Sequence, residues 1–475
     1  MRNKFTLSQV SILVGLLWVF SCKIPAITGK QESRSTPASY QNAKDTTNAA
    51  NLNWKNYFKD PQLIALIDTA LSNNQELNIT LQEIEISKNE VMARKGEYLP
   101  FLNFGAAAGP DRAGKYTWDG FSEEDLKATP SRGPKYVGDF MAGAFFSWEL
   151  DVWKKLRNAK KSAALKYLSS VEGRNFMVTN IIAEIASSYY ELMALDNLLA
   201  IVQQNIELQN NALQIVKLEK DAAKVSQLAV NRFEAQLLNT KNLQYAIRQK
   251  IVEAENRINF LTGRFPQPIK RNPASFDELH TDPIFAGVPS QLLEHRPDIR
   301  KAELELAAAK LDVQVARANF LPSFRLSSGL GFQAYNPLYL ISPESIMYNL
   351  IGDIVAPLVN KNAIKATYFN ANATQIQAAY NFERSILNAH IEVVNQLSQM
   401  DNFTKSYETK AKEVEILNQS ITISNSLFRS ARADYIEVLL TQREALESRI
   451  DLIEIKMKQL EAKVNIYKAL GGGWN

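Results

Sequence analysis

The chain has 475 residues, 46% hydrophobic and 22% charged, with 54 Lys and Arg against 50 Asp and Glu. That composition excludes disordered and collagen-like classes, and a net charge of +4 argues against a general nucleic-acid binder. One cysteine, Cys22, and three scattered histidines, His280, His295 and His390, exclude an internal disulfide framework and argue against a Cys/His zinc site. These counts alone fit a soluble enzyme of several domains; the order of the residues points elsewhere.

Residues 1–21 carry a signal-peptide pattern. Arg2 and Lys4 precede an apolar run, Val10–Phe20, of eleven residues, too short to span a bilayer. The run leads into Val19-Phe20-Ser21-Cys22, which resembles a bacterial lipobox. The resemblance implies lipidation of Cys22 by three acyl chains, a firm anchor where one chain holds only marginally. Ordinary secretion with a free thiol is the simpler alternative. Lys23 is not the aspartate that the lipoprotein pattern associates with inner-membrane retention. Residues 22–51 are expected to form a lipidated tether. The stretch after Cys22 is rich in Ser, Thr, Asn, Ala and Gln without an apolar period, which predicts flexibility.

The rest of the chain is written twice. Glu97-Tyr98-Leu99-Pro100 matches Asn319-Phe320-Leu321-Pro322 at an offset of 222. Leu228-Ala229-Val230 meets Ile436-Glu437-Val438 at an offset of 208, and Gly263 meets Gly471 at the same offset. A longer loop in the first copy, Gly109 to Gly138, accounts for the difference. The copies are repeat 1, residues 52–265, and repeat 2, residues 290–475, joined by a Pro-rich connector, 266–289.

Each copy is predicted as helix, strand, loop, strand, long helical hairpin. Helices over 61–97 and 290–318 end before X-Leu-Pro, where the residue preceding proline is pushed out of α space. Strands follow at about 100–108 and 138–148, and at about 322–334 and 345–355. Phe324, Leu326, Leu330 and Phe332 alternate with Arg325, Ser327, Gly329, Gly331 and Gln333. Leu102, Phe104, Ala106 and Ala108 alternate with Asn103, Gly105 and Ala107, and Ile346, Tyr348 and Leu350 with Met347, Asn349 and Ile351. Asn349 and Asp353 are expected on the wet face. About ten residues suffice for a tilted transmembrane strand. Tyr116, Trp118, Phe121, Tyr335, Tyr339 and Tyr348 lie near strand ends, where interfacial aromatics gather. Alternation alone fits equally a half-buried strand of a water-soluble sheet.

The hairpins span 155–262 and 361–470. From Lys155 to Glu219 there is no proline and a single glycine, Gly173, which predicts a rod of about 95 Å. Ile185, Leu192, Leu195, Leu199, Val202 and Ile206 fit alternating steps of three and four, the period of coiled-coil packing. Four strands cannot close a barrel, and open edges are not viable in lipid, so several chains must pool theirs. An eight-stranded interior is filled by side chains, whereas twelve strands leave a channel.

At this point the chain resembles the TolC/OprM-type outer-membrane factors, in their NodT-like lipoprotein branch. Trp54–Pro61 with Leu63 and Leu66 is similar to the family's opening segment, and Tyr98-Leu99-Pro100 to its strand entry. Ser147–Trp153 resembles its strand-to-helix passage, and Leu293–Arg300 its second-repeat signature. Ala433–Val438, Thr441-Gln442-Arg443 and Tyr467–Trp474 resemble its closing segment. The resemblance implies a mainly α protein with a membrane β-barrel. A homotrimer would form a 12-stranded barrel continuous with a 12-helix periplasmic α-barrel, anchored in outer-membrane lipid, with the connector in an equatorial collar. It implies passive conduction of drugs or other small solutes, without catalysis or cofactor. The partners would be a periplasmic membrane-fusion adaptor and an inner-membrane RND-type transporter.

The hairpin turns fall near Lys220–Ser226 and Arg429–Asp434. The family commonly has glycine there, and this chain has Ala223 and Ala431. If those positions need positive φ, alanine is disfavoured. Asp434 matches an acidic position at the family's periplasmic gate, and Asp221 is a second candidate; capping of the following helix is the alternative for both. An enzyme has little support, since no G-x-S-x-G elbow, Walker loop or dinucleotide fingerprint is present. The remaining alternatives are an exit duct for type I protein secretion and, further off, a periplasmic coiled-coil adaptor.

Overall fold

The computed structural model describes residues 24–40, 52–111, 137–276, 278–279, 286–357, 359–430 and 432–474. These fall into two compact units, and each draws on both halves of the duplicated sequence. The strand unit comprises residues up to Gln31, Ile86–Tyr167 and Leu304–Ala379; the hairpin unit comprises Glu32–Glu85, Leu168–Glu303 and Tyr380–Asn475. Along the chain run α1 (Pro61–Asn73), α2 (Gln75–Tyr98), β1 (Phe101–Asp111), β2 (Val137–Leu150), α3 (Lys155–Asp221) and α4 (Gln227–Leu261). Then follow α5 (Pro297–Ala318), β3 (Ser323–Ala334), β4 (Ile346–Val355), α6 (Asn362–Arg429) and α7 (Tyr435–Ala469).

In the strand unit the four strands form one antiparallel sheet in the order β1-β2-β3-β4. All four helix connections leave from the same end of the sheet. The passage after β2 is tightly built there. The Asp151 carboxylate accepts from the backbone N–H groups of Leu156 and Arg157 at 3.0 and 2.9 Å, which caps α3. Burial opposes its charge, but those bonds and the Arg157 guanidinium outweigh burial and hold its pKa low. Two indoles of the passage reach the two strand entries: Trp148 donates to the Tyr98 carbonyl at 3.1 Å, and Trp153 to the Pro322 carbonyl at 2.7 Å. Lys154 and Asn360 make the strand-to-helix turns of the two copies with φ of 61° and 52°.

In the hairpin unit the main core gathers Trp54, Phe58 and Ile67 with Ile185 and Leu192 of α3, Ile258 of α4 and Val464 of α7. The Pro-rich connector is held by Arg271, whose guanidinium bridges Asp196 and Glu255 and donates to the Ile269 carbonyl at 2.9 Å.

The expected unbroken helices 61–97 and 290–318 are both interrupted. In the first copy Asn74 is extended, with ψ 125°. Its side-chain oxygen accepts from the Leu77 N–H at 2.9 Å and restarts the helix, while its amide donates to the Leu261 carbonyl at 2.9 Å. In the second copy Arg296 is extended ahead of Pro297, as the proline ring requires, and splits a one-turn helix, Leu292–His295, from α5. Arg296 donates to the Ala469 carbonyl at 2.9 Å. Asn74 and Arg296 are equivalent at the offset of 222, and Leu261 and Ala469 at 208. Duplication has therefore preserved one device: a side chain at the helix break satisfies the last carbonyl of the return helix, a group with no partner inside that helix. The glycine that follows is part of it. Gly263 and Gly471 have φ of 67° and 89°, and a Cβ there would lie 2.5 Å from the Asn73 oxygen or 2.6 Å from the His295 oxygen.

Residues 24–40 correct the flexible tether expected over 22–51; Cys22 and 41–51 lie outside the described residues. In the strand unit Ile24 and Ile27 pack on Ala316, Phe320 and Tyr368. Asn372 and Gln375 donate to the carbonyls of Thr28 and Lys30 at 3.1 and 3.3 Å. In the hairpin unit the Ser33 N–H donates to Glu383 at 3.0 Å, Arg34 pairs with Glu303 at 2.6 Å, and Tyr40 is buried, stacked 5.3 Å from His390. The physical reason is that backbone carbonyls and single anchors hold the segment. A strap bound that way needs no apolar period.

Candidate functional site

Two places carry the geometry of a conduit: the sheet of the strand unit and the turns of the hairpin unit. Register and pleat sort the strands into two faces. One face carries Phe104, Ala144, Leu330 and Tyr348 in one row. Leu102, Phe146, Ser328 and Leu350 form the row on one side of it, and Ala106, Ala142, Phe332 and Ile346 the row on the other. No charged side chain interrupts this face, although Leu102, Phe104, Leu350 and Tyr348 are 72–83% exposed. The other face carries Asn103, Asn349, Asp353, Arg325 and Glu149, with Gln333 donating to Asp139 at 2.9 Å. Gly143 and Gly331 face each other so closely on it that a Cβ on Gly331 would stand 2.6 Å from the Gly143 Cα.

The strands have 11, 14, 12 and 10 residues, enough to cross a bilayer at a tilt. Among the described residues β1 pairs only with β2 and β4 only with β3, so both outer strands present N–H and C=O groups that no described strand pairs. Among the described residues no helix is long and apolar enough to cross a membrane. Tyr335 and Tyr339 meet at 5.9 Å beyond the end of β3. Tyr116, Trp118 and Phe121 lie outside the described residues, as do Ala431 and His280.

The turn between α3 and α4 closes with Ala223 at φ 57°. The Lys224 N–H donates to the Glu219 carbonyl and the Ala223 N–H to that of Lys220, both at 2.9 Å. This is a Schellman closure, the same pattern that Gly263 and Gly471 make at the other ends of the hairpins. Alanine at this left-handed position costs about 1–2 kcal/mol relative to glycine. In the second hairpin the Arg432 N–H reaches back to the Leu427 carbonyl at 2.9 Å. Behind the turns a separate apolar cluster of Leu213, Val216, Val230 and Phe233 takes in Tyr435 and Leu439, which ties the two hairpins side by side.

Asp434 stands at the N-cap of α7 with extended backbone, but its side chain makes no capping bond and is exposed. Asp221 is the last residue of α3, 70% exposed and 3.4 Å from Lys220. Ser226, not Asp221, holds the N-cap of α4. Neither carboxylate is therefore engaged in the capping that was the alternative for it. The bonds of Asn74 and Arg296 to the return helices were not foreseen, although the two offsets, 222 and 208, align both pairs. Among the described residues no group of His, Cys, Asp and Glu could hold a metal ion.

A sheet with one apolar face, one polar face and two outer strands left unpaired, in a chain that also carries paired helical hairpins, defines the class: a strand-pooling outer-membrane channel subunit. The family of outer membrane efflux proteins matches residues 66–264 and 288–472, and this chain belongs to it. It is 28% identical over 421 residues to the pyoverdine export outer membrane protein OpmQ of Pseudomonas aeruginosa, covering 89% of this chain and 87% of that one. It is 26% identical over 422 residues to the probable outer membrane lipoprotein SilC of Salmonella typhimurium, covering 89% and 88%. The open-state outer membrane channel MtrE of Neisseria gonorrhoeae superposes with a TM-score of 0.82 at 23% identity, covering 95% of this chain and 98% of that one. CusC gives the same TM-score at 23% identity, covering 94% and 99%.

Proposed function

We propose that three copies of this chain pool their sheets into a 12-stranded barrel in the outer membrane, continued by a 12-helix tube in the periplasm. The assembly conducts small solutes passively as the outer component of a tripartite pump. The observation that carries this reading is the sheet itself: its apolar face calls for lipid, and its two free edges have no stable state in lipid unless other copies pair with them. Its partners are a periplasmic membrane-fusion adaptor and an inner-membrane RND-type transporter, with outer-membrane lipid around the barrel. Relatives named for export of pyoverdine, cations, solvents and toluene favour small solutes over protein secretion.

Cys22 is the lipid anchor in this reading. Two residues on, Ile24 packs beside Phe320, at the helix-bearing end of the sheet, which is where an anchor at the membrane surface has to be. Labelled palmitate should enter the wild-type chain and be absent from Cys22→Ser; label retained in that variant would contradict the lipobox.

The turns form the periplasmic gate. Asp434 is free of capping and exposed, so three copies can set a ring of carboxylates that favours cations by local field. Asp221 is the weaker candidate, because Lys220 lies beside it. The wild-type protein in planar bilayers should form cation-preferring channels, and Asp434→Ala should raise conductance or lower cation preference. A protein that forms no channel would overturn the reading; unchanged traces in the variant would remove Asp434 from the gate.

A further inference from the structure

We infer that Phe145 is a platform on the inner wall of the barrel for planar aromatic solutes, an inference that rests on the channel reading above. Phe145 lies on β2, in the register row Asn103, Phe145, Gly329, Asn349. Pleat places this row on the polar face, opposite the apolar face of Phe104, Ala144 and Leu330. In the closed barrel that polar face is the water-filled wall, where a large apolar ring has no packing role toward lipid.

The ring is seated on a bed of glycines. A Cβ on Gly105 of β1 would lie 3.3 Å from the Phe145 Cε2, and a Cβ on Gly329 of β3 would lie 3.2 Å from its Cδ1. The ring thus spans from one neighbouring strand to the other, over the two positions where neither strand raises a side chain. Its two long edges are held by the bed, and Phe145 remains only half-buried. Asn103 and Asn349, the ends of the row, bring neutral amides to either side, able to donate to or accept from polar substituents. No charged residue shares the row.

An exposed aromatic face of this kind attracts another ring in offset stacking. Neutral amides beside it favour solutes that are flat, aromatic and carry small polar groups. Three such platforms would ring the wall at one height. Retention has to be weak, because a conduit binds well enough to admit a solute and loosely enough to release it. Ring-on-ring contact alone lengthens residence about two- to tenfold.

The test is single-channel recording of the full-length protein in planar bilayers, with ethidium as a planar aromatic cation and tetraethylammonium as a cation without a ring. Blocking events by ethidium should last about two- to tenfold longer than in Phe145→Leu, and longer still in Phe145→Trp. Tetraethylammonium events should be equal in all three, since Leu and Trp leave the charges of the wall unchanged. If Phe145→Leu gives no channels, the Phe145→Trp comparison alone decides. Ethidium dwell times that do not differ between variants forming normal channels would overturn the platform while leaving the channel intact. Absence of channels from the wild type would instead overturn the channel reading and this inference with it.

Discussion

Replacing Arg296 with Met is expected to destabilise the hairpin unit by about 3–5 kcal/mol, the usual cost of removing one partner from a buried ion pair. Arg296 is 6% exposed. Its guanidinium grips Asp298 with two bonds, at 2.9 and 2.7 Å, reaches Glu392 at 2.7 Å, and donates to the Ala469 carbonyl. Burial works against its charge, but the two carboxylates outweigh burial and raise its pKa, so it stays ionised. Methionine fills similar space yet leaves two carboxylates and the end of α7 without a donor. Lysine should rescue only in part, because it cannot reproduce the forked geometry. The equivalent change in the first copy, Asn74→Leu, removes neutral hydrogen bonds only and should cost less, about 1–3 kcal/mol. Chemical unfolding of the purified protein in detergent measures both. An Arg296→Met protein within about 1 kcal/mol of wild type would show that the clamp does not hold the helix ends.

Leu330→Arg should cost about 2–4 kcal/mol and lower the yield of assembled channel in the outer membrane, because it sets a cation near the middle of the lipid-facing surface. Ser327→Arg, three residues away on the same strand but on the opposite face, should assemble normally. The two substitutions add the same charge to β3, so only the face differs. Equal assembly of both would contradict the assignment of the apolar face to lipid. Outer-membrane fractionation and heat-dependent gel mobility report the difference.

The sheet was legible in sequence because one face of each strand is free of charge, most clearly Leu102 to Ala108 of β1 and Phe324 to Phe332 of β3, while the charged residues fall on the other face. The polar face is less regular: Met141 and Phe145 of β2 and Met347 and Ile351 of β4 lie on it, so alternation did not mark them. The hairpins were legible from their unbroken heptad stripes. The helix breaks were not, because apolar residues continue in step across Asn74, from Leu66 and Ala70 to Leu77, and hydropathy does not register a backbone turn. Pro297 did offer a local sign in the second copy. The strap 24–40 was misjudged for a related reason. Its carbonyls are bound by amides of Asn372 and Gln375, far along the chain, and nothing in its own composition encodes those partners. Ala223 was legible as an anomaly, and its φ of 57° shows that the turn keeps left-handed geometry without glycine.

The central claim is that β1 of one copy pairs with β4 of the next until the sheet closes. Disulfide trapping tests it most directly. A cysteine at Ala106 of β1 is combined in turn with one at Ile346, Tyr348 or Leu350 of β4, in protein oxidised in outer membranes. At least one combination should give a denaturing-gel ladder that stops at three chains, while each single cysteine gives no product beyond two. A ladder that stops at two, one that continues past three, or no cross-link at any pair would contradict a closed trimer built from these edges.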